Sequence, residues 1–171
     1  MTTKLIWITP DAEKLLGYIA RVSNPQNQDN ENVEGLLRYM VKHQHWSPFE
    51  MASAVFEIET TRDIARQILR HRSFSFQEFS QRYADVRLLP VAELRECRLQ
   101  DTKNRQNSLE TDDETKRNGW EKIQAFVTGV AEAGYEKALE MGIAKEQARA
   151  VLPEGLTPSR MYMSGTLRSW M

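Results

Sequence analysis

The sequence predicts an α+β fold in one domain spanning residues 1–171. Three observations carry this. The chain is 171 residues long, 40% hydrophobic and 27% charged, enough apolar material for one real core. Short stretches with apolar residues at every second position, such as "MASAVFEIET", argue for strands. Between them lie stretches with apolar residues at helical spacing, separated by polar loops and prolines.

From the N-terminus, "KLIWIT" reads as a short first strand. Thr9-Pro10-Asp11 reads as a helix start, with Thr9 as N-cap and Pro10 at the first helical position. Leu15, Leu16, Ile19 and Val22 give this helix its apolar stripe. After the polar loop "SNPQNQDNEN", a second helix is expected from about Val33 to His43, with Leu36, Leu37 and Met40 on one face. Pro48 in "HWSPFE" disfavours helix at Ser47 and ends that element. "MASAVFEIET" follows as a half-buried strand, with Ala52, Ala54, Phe56 and Ile58 facing inward. "TRDIARQILR" returns to helical spacing: Ile64, Ile68 and Leu69 pack inward, and Arg62, Arg66 and Arg70 recur every four residues.

Residues 95–117 are densely charged and nearly free of large apolar side chains, which predicts a mobile surface insert. A long helix is expected from about Asp113 to Met141, burying Trp120, Ile123, Phe126, Val127, Val130 and Leu139, with Gly142 as its stop. "AKEQARAVLP" is a shorter helix halted by Pro153. "GLTPSRMYMSGTLRSWM" reads as an extended segment leading into a last helix.

Bulk properties exclude several function classes. The net charge of −1 gives no general nucleic-acid or membrane-surface binder, so any basic site is local. Cys97 is the single cysteine and has no internal disulfide partner, which points to a reducing cytoplasm. No apolar run approaches the length of a membrane span. No G-x-G-x-x-G or phosphate-loop motif occurs among the eight glycines. His43, His45 and Glu50 are too loosely spaced to predict a metal site, so none is expected.

The chemistry concentrates in "RHRSFSFQEFSQRY", Arg70 to Tyr83. Guanidinium forks bind phosphate oxygens bidentately, and serine hydroxyls add short donors. Glu78, alone among these cations, stays ionised and either orients them or accepts from a ligand N–H or O–H. Gln67, one helical turn before His71, offers an amide to a base edge. This set of groups suits a phosphorylated, ring-bearing small molecule. Ser80 reads as a phosphate donor rather than a nucleophile, because no base stands beside it. Cys97 falls in the charged insert and does not read as a nucleophile either.

These residues carry a resemblance. Arg70-His71-Arg72, seven residues, then Ser80-x-Arg82-Tyr83, with Glu78 two before the serine, is similar to the signature of the flavin-dependent thymidylate synthases. Gln77 stands where the family more often has Asn. "HWSPFE" resembles the family's His-x-Ser/Thr-x-Phe-Glu segment, with Met51 where a second His is common, and "ARAVLP" and "SGTLRSWM" resemble a third and a fourth segment. The four matches run in order from His45 to Met171.

The resemblance implies a small, twisted, mostly antiparallel sheet flanked by helices, of the thymidylate synthase complementing protein type. It implies reductive methylation of dUMP to dTMP, with methylenetetrahydrofolate as carbon donor and NADPH as reductant acting through FAD. It implies a homotetramer with active sites shared between subunits. By position, Ser47, Arg70, His71, Arg72, Glu78, Thr166, Leu167 and Arg168 correspond to flavin contacts, although the family usually has Asn at Thr166. Gln67, Arg70, Glu78, Ser80, Gln81, Arg82 and Arg149 correspond to substrate contacts. The family's pyrimidine-activating arginine lies beyond the point matching Met171, so no catalytic residue is assigned. The same comparison implies a C-terminally short chain, and a possible second polypeptide completing it. The alternatives are an inactive fragment of the enzyme, or a non-catalytic protein that holds nucleotide or RNA phosphates through the same arginines, with Phe74 and Phe76 stacking on bases. The near-zero net charge favours neither RNA nor DNA.

Overall fold

The computed structural model describes residues 1–171. In chain order the elements are β1 (Thr2–Ile8), α1 (Ala12–Ala20), α2 (Glu34–Lys42), β2 (Ser53–Thr61), α3 (Arg62–Ile68), β3 (Ser75–Glu78), β4 (Arg98–Gln100), β5 (Ser108–Glu110), α4 (Glu114–Glu140), α5 (Lys145–Ala148), β6 (Pro158–Thr166) and α6 (Leu167–Trp170). Short 3-10 turns intervene. No helix is long and apolar enough to cross a membrane. The mixed α and β content agrees with the expected α+β class. The chain divides into two compact units, the first built from Met1–Glu59, Gln67–Glu78 and Arg160–Met171, the second from Thr60–Arg66 and Phe79–Ser159.

The first unit is organised by a four-stranded sheet in the order β1-β2-β6-β3. β1 pairs antiparallel with β2, and β3 with β6. Period-two patterning works as it should in β2, where Ala54 and Ile58 are buried. β6 does the same with Met161 and Met163, while Tyr162 between them is exposed. The opposite face is polar and cross-linked. The Arg160 guanidinium donates to Glu59 at 3.0 Å, and the Tyr162 hydroxyl donates to Glu57 at 2.7 Å. The Arg160 bond holds the Glu59 carboxyl below its usual range, and the bond to Glu57 pushes the Tyr162 phenol up.

The helices of this unit close over Leu16, Met40, Phe49 and Ala52, with Leu36, Leu37, Trp46 and Leu167 packed around them. Each large side chain buried there contributes about 1.5–3 kcal/mol. The expected cap of α1 is corrected. Asp11, in the left-handed region at φ 48°, occupies the N-cap position. Thr9 instead staples two strands: its hydroxyl accepts from the Ser53 N–H at 2.9 Å, and its own N–H donates to the Ser53 carbonyl at 2.9 Å. A strand-end partner for both groups outcompetes a helix cap that would use only one.

In the second unit, Tyr135 of α4, Ala148 of α5 and Val86 form the buried cluster. α4 begins at the Asp113 cap and ends before Gly142, whose φ of 78° is the left-handed conformation that stops helices. Its predicted ends hold to within a residue, but its predicted buried face does not. Phe126 is 72% exposed, Val130 59% and Ile123 57%, and the helix buries Gln124, Ala131 and Tyr135 instead.

The reason is hydrogen bonding at Arg95. Its backbone N–H donates to the Gln124 amide oxygen at 2.7 Å, and its carbonyl accepts from Gln124 and from the Trp120 indole, each at 3.0 Å. The Arg95 guanidinium in turn bonds Thr61 and the Asp63 carboxylate. An unpaired buried peptide group costs about 1–3 kcal/mol, so satisfying this one selects the helix face that the apolar count alone does not. Residues 95–117 contain a two-stranded ladder, β4 against β5, in which Leu99 faces Leu109.

Candidate functional site

The segment with the densest chemistry is split at Glu78 between the two units. In the first, α3 stops at Ile68, and Arg70, His71 and Arg72 occupy the turn before β3. Backbone bonds from Arg70 to Gln67 and from His71 to Ile68, at 3.2 and 3.1 Å, shape that turn. β3 is an edge strand of the sheet, in register Ser75↔Ser164 through Glu78↔Met161. An edge strand tolerates the polar pattern that a central strand would not: Phe76 and Glu78 are half-buried, while Ser75 and Gln77 are exposed. Arg70, His71, Arg72 and Gln67 are exposed. The Arg70 and Arg72 guanidiniums make no ion pair or hydrogen bond, so their side-chain donors are unspent.

His71 meets the Phe74 ring edge-on at 6.4 Å. Phe74 also packs on Trp170 at 4.7 Å and lies over Gly165, where an added Cβ would come within 2.5 Å of the ring. Only glycine permits that approach. The tryptophans here are packing residues: Trp170 sits between Phe56 and Phe74, and Trp46 packs on Phe49.

The "HWSPFE" and "SGTLRSWM" segments meet in the same unit. Ser47 opens the 3-10 turn Ser47–Met51 and is exposed. Glu50 in that turn accepts from Thr166 at 2.8 Å and from Arg168 at 2.9 Å. Thr166 also caps α6 by accepting from the Ser169 N–H at 3.4 Å. The Leu167 side chain packs into the core, and its N–H donates to the Ala52 carbonyl at 2.8 Å. Glu50 is thus the organiser of this stretch. Its place in the "HWSPFE" match was the available signal for that role.

The second unit gathers a basic pocket. Ser80, Gln81 and Arg82 lie in a turn closed by Tyr83 and Ala84 N–H groups donating to the Ser80 carbonyl, at 3.1 and 2.9 Å. Ser80 and Arg82 are exposed, and Gln81 is buried, its amide donating to the Pro158 carbonyl at 3.4 Å. Arg82 pairs with the Glu146 carboxylate at 2.9 Å, and Arg149 donates to the Glu146 carbonyl at 3.2 Å. Arg62, Arg66, Gln81, Glu146, Arg149 and Glu154 line a pocket of about 350 Å³. Glu154 lies 3.8 Å from both Arg62 and Arg66. Here Arg82 and Arg149, distant in sequence, come together through Glu146, and Gln81 shares the pocket's lining. Arg62, Arg66, Glu146 and Glu154 were not among the expected contacts, and only the four-residue recurrence of the two arginines hinted at that pair.

Fold and pocket together define an α+β protein with a local cluster of guanidiniums and carboxylates. Comparison with known proteins places it more closely. Residues 4–171 match the family model described as thymidylate synthase complementing protein, and the chain belongs to that family. It is 50% identical over 179 residues to a probable flavin-dependent thymidylate synthase of Paramecium bursaria Chlorella virus 1, covering all of this chain and 82% of the relative. It is 51% identical over 159 residues to a flavin-dependent thymidylate synthase of Synechocystis sp., covering 93% of this chain and 72% of the relative. Among solved structures, the UMP/dUMP methylase PolB from Streptomyces cacaoi bound with 5-Br dUMP superposes with a TM-score of 0.76 at 28% identity, over 98% of this chain and 73% of that one.

Proposed function

We propose that this chain is a flavin-dependent thymidylate synthase, which methylates dUMP reductively to dTMP with methylenetetrahydrofolate and NADPH. The observation that carries the reading is the pocket of the second unit, where Gln81 and Arg149 of the matched segments line the wall beside Arg62 and Arg66, and Arg82 of a matched segment pairs with Glu146 of that wall. A nucleoside monophosphate carries roughly two negative charges at its phosphate, and guanidinium donors are the groups that hold such a dianion best. Arg82 and Arg149 are the phosphate ligands in this reading, with the exposed Ser80 hydroxyl as a short donor.

FAD fits the residues of the first unit. Its diphosphate needs cations that are not already spent, and Arg70 and Arg72 are such cations. Ser47, His71, Glu78 and the stretch Thr166, Leu167, Arg168 complete the set. Thr166 and Arg168 act with Glu50, which fixes both side chains. When bound, the flavin supplies the hydride that completes the methyl group. The chain's own residues bind and orient: Glu50 holds Arg168, Gly165 lets Phe74 close on β6, and Phe74 fixes the ring of His71.

The homotetramer belongs to the same reading. The exposed apolar side chains of α4, and those of Leu5, Ile6, Trp7 and Ile8 on β1, support assembly, because such stripes are seldom left in water. A cytoplasmic location is also part of it, consistent with the lone Cys97.

Tritium release from dUMP labelled at C5 tests the proposal. Release that requires methylenetetrahydrofolate, NADPH and FAD together is the expected result. A folded protein that binds dUMP yet releases no tritium under these conditions would refute it.

A further inference from the structure

We infer that Arg95, which is not among the residues lining the pocket of the second unit, is a positioning residue that fixes the spacing of that lining and thereby its hold on a phosphate. The inference rests on the reading that this pocket takes the nucleotide phosphate. Two separate stretches of chain supply most of the lining. One is the start of α3, with Arg62 and Arg66; the other is residues 149–154, with Arg149, Leu152 and Glu154. Hydrogen bonds to a phosphate weaken steeply beyond about 3.2 Å, so the lining grips one ligand only if the two stretches keep one separation.

Arg95 ties the stretches together. Its guanidinium donates to both oxygens of the Asp63 carboxylate, at 2.7 and 2.9 Å, and to the Thr61 hydroxyl, which gathers the start of α3. Its Nε donates to the Gly155 carbonyl at 3.4 Å, one residue past Glu154. Two backbone bonds run alongside: the Asp63 N–H donates to the Glu154 carbonyl at 3.3 Å, and the Arg62 N–H to the Thr157 carbonyl at 3.0 Å. Residues 153–157 form a closed turn, because the Pro153 carbonyl accepts from the Thr157 hydroxyl at 2.6 Å and from the Thr157 N–H at 2.9 Å. Fixing Gly155 within that turn fixes Glu154 and the residues before it.

The arm is also held at its root. The Arg95 N–H donates to Gln124, and its carbonyl accepts from Gln124 and Trp120 of α4. An anchored main chain limits where the side chain reaches. A guanidinium fork serves a carboxylate and a carbonyl at once, which the point charge of an ammonium does not.

Calorimetric titration of the full chain with dUMP, well below the melting temperature, tests the inference through two readouts: the Kd and the fraction of chains that bind. Arg95→Met removes the guanidinium and keeps the main-chain anchors. It is expected to weaken dUMP binding about tenfold, the scale of one charge-assisted hydrogen bond drawn out of range, with the binding fraction unchanged. Arg95→Lys keeps the charge without the fork and is expected to bind with an intermediate Kd. If Arg95→Met does not fold, Arg95→Lys carries the same test.

A merely structural Arg95 gives the opposite pattern, in which fewer chains bind and those that do have the unaltered Kd. That pattern, or an unchanged Kd in the variants that fold, would overturn this inference alone. Absence of dUMP binding in the unaltered protein would overturn the nucleotide reading, and this inference with it.

Discussion

Arg82→Ala separates binding from folding. Arg82 and its partner Glu146 are both substantially exposed, with 65% and 46% of their side chains in solvent. An ion pair of that kind contributes about 0–1 kcal/mol to stability. For a chain of 171 residues this corresponds to a fall in Tm of about 4 °C at most. The same substitution removes a charge-assisted contact to the phosphate, worth about 1.5–3 kcal/mol. It also leaves Glu146 without its partner at the pocket wall, adding repulsion. Affinity for dUMP therefore falls about 10–150-fold while the fold survives. Titration calorimetry with dUMP and a thermal melt on the same preparation read both quantities. An unchanged dUMP affinity would refute the phosphate assignment. A Tm drop well beyond that bound would show that Arg82 serves the fold instead.

Three further outcomes follow from the packing and the charges. Gln124→Leu leaves the Arg95 N–H without its acceptor, at a cost of about 1–3 kcal/mol, and lowers the Tm measured by calorimetry by about 2–12 °C. Gly165→Ala forces a methyl against the Phe74 ring and costs about 1–3 kcal/mol; a thermal melt equal to that of the unaltered chain would show that the ring has room to move. Glu59 has a folded-state pKa lowered from the ordinary 4.5 by Arg160, so its contribution is full above that value and fades as pH falls through the lower folded value. Glu59→Gln should therefore flatten the acid limb of the stability–pH curve below pH 4.5, as read by denaturant melts, and leave its alkaline limb unchanged.

Much of the fold was legible in the sequence because its signals are local. Period-two patterning placed β2, proline and glycine marked the ends of α4 and α5, and the arginine-rich segment located the candidate site. What was not legible depends on partners far away in the chain. Thr9 bonds Ser53 rather than capping α1, and nothing near Thr9 announces Ser53. The buried face of α4 is chosen by the peptide group of Arg95, whereas an apolar count picks the face carrying Phe126 and Val130. The site follows the same division. The cations could be read from the segment itself, but Glu50, Glu146 and Glu154, which set their positions and net charge, are placed by tertiary structure. Residues 95–117 look like a bare charged insert, yet Arg95 at their start is a hub of the second unit.

The central claim is that the pocket beside Arg149 holds the phosphate of dUMP. A crystal structure of the chain with dUMP and FAD measures it directly. The account predicts phosphorus density within hydrogen-bonding reach of Arg82, Arg149 and the Ser80 hydroxyl. Density for the nucleotide phosphate on Arg70 and Arg72, with the Arg149 pocket left to solvent, would contradict it.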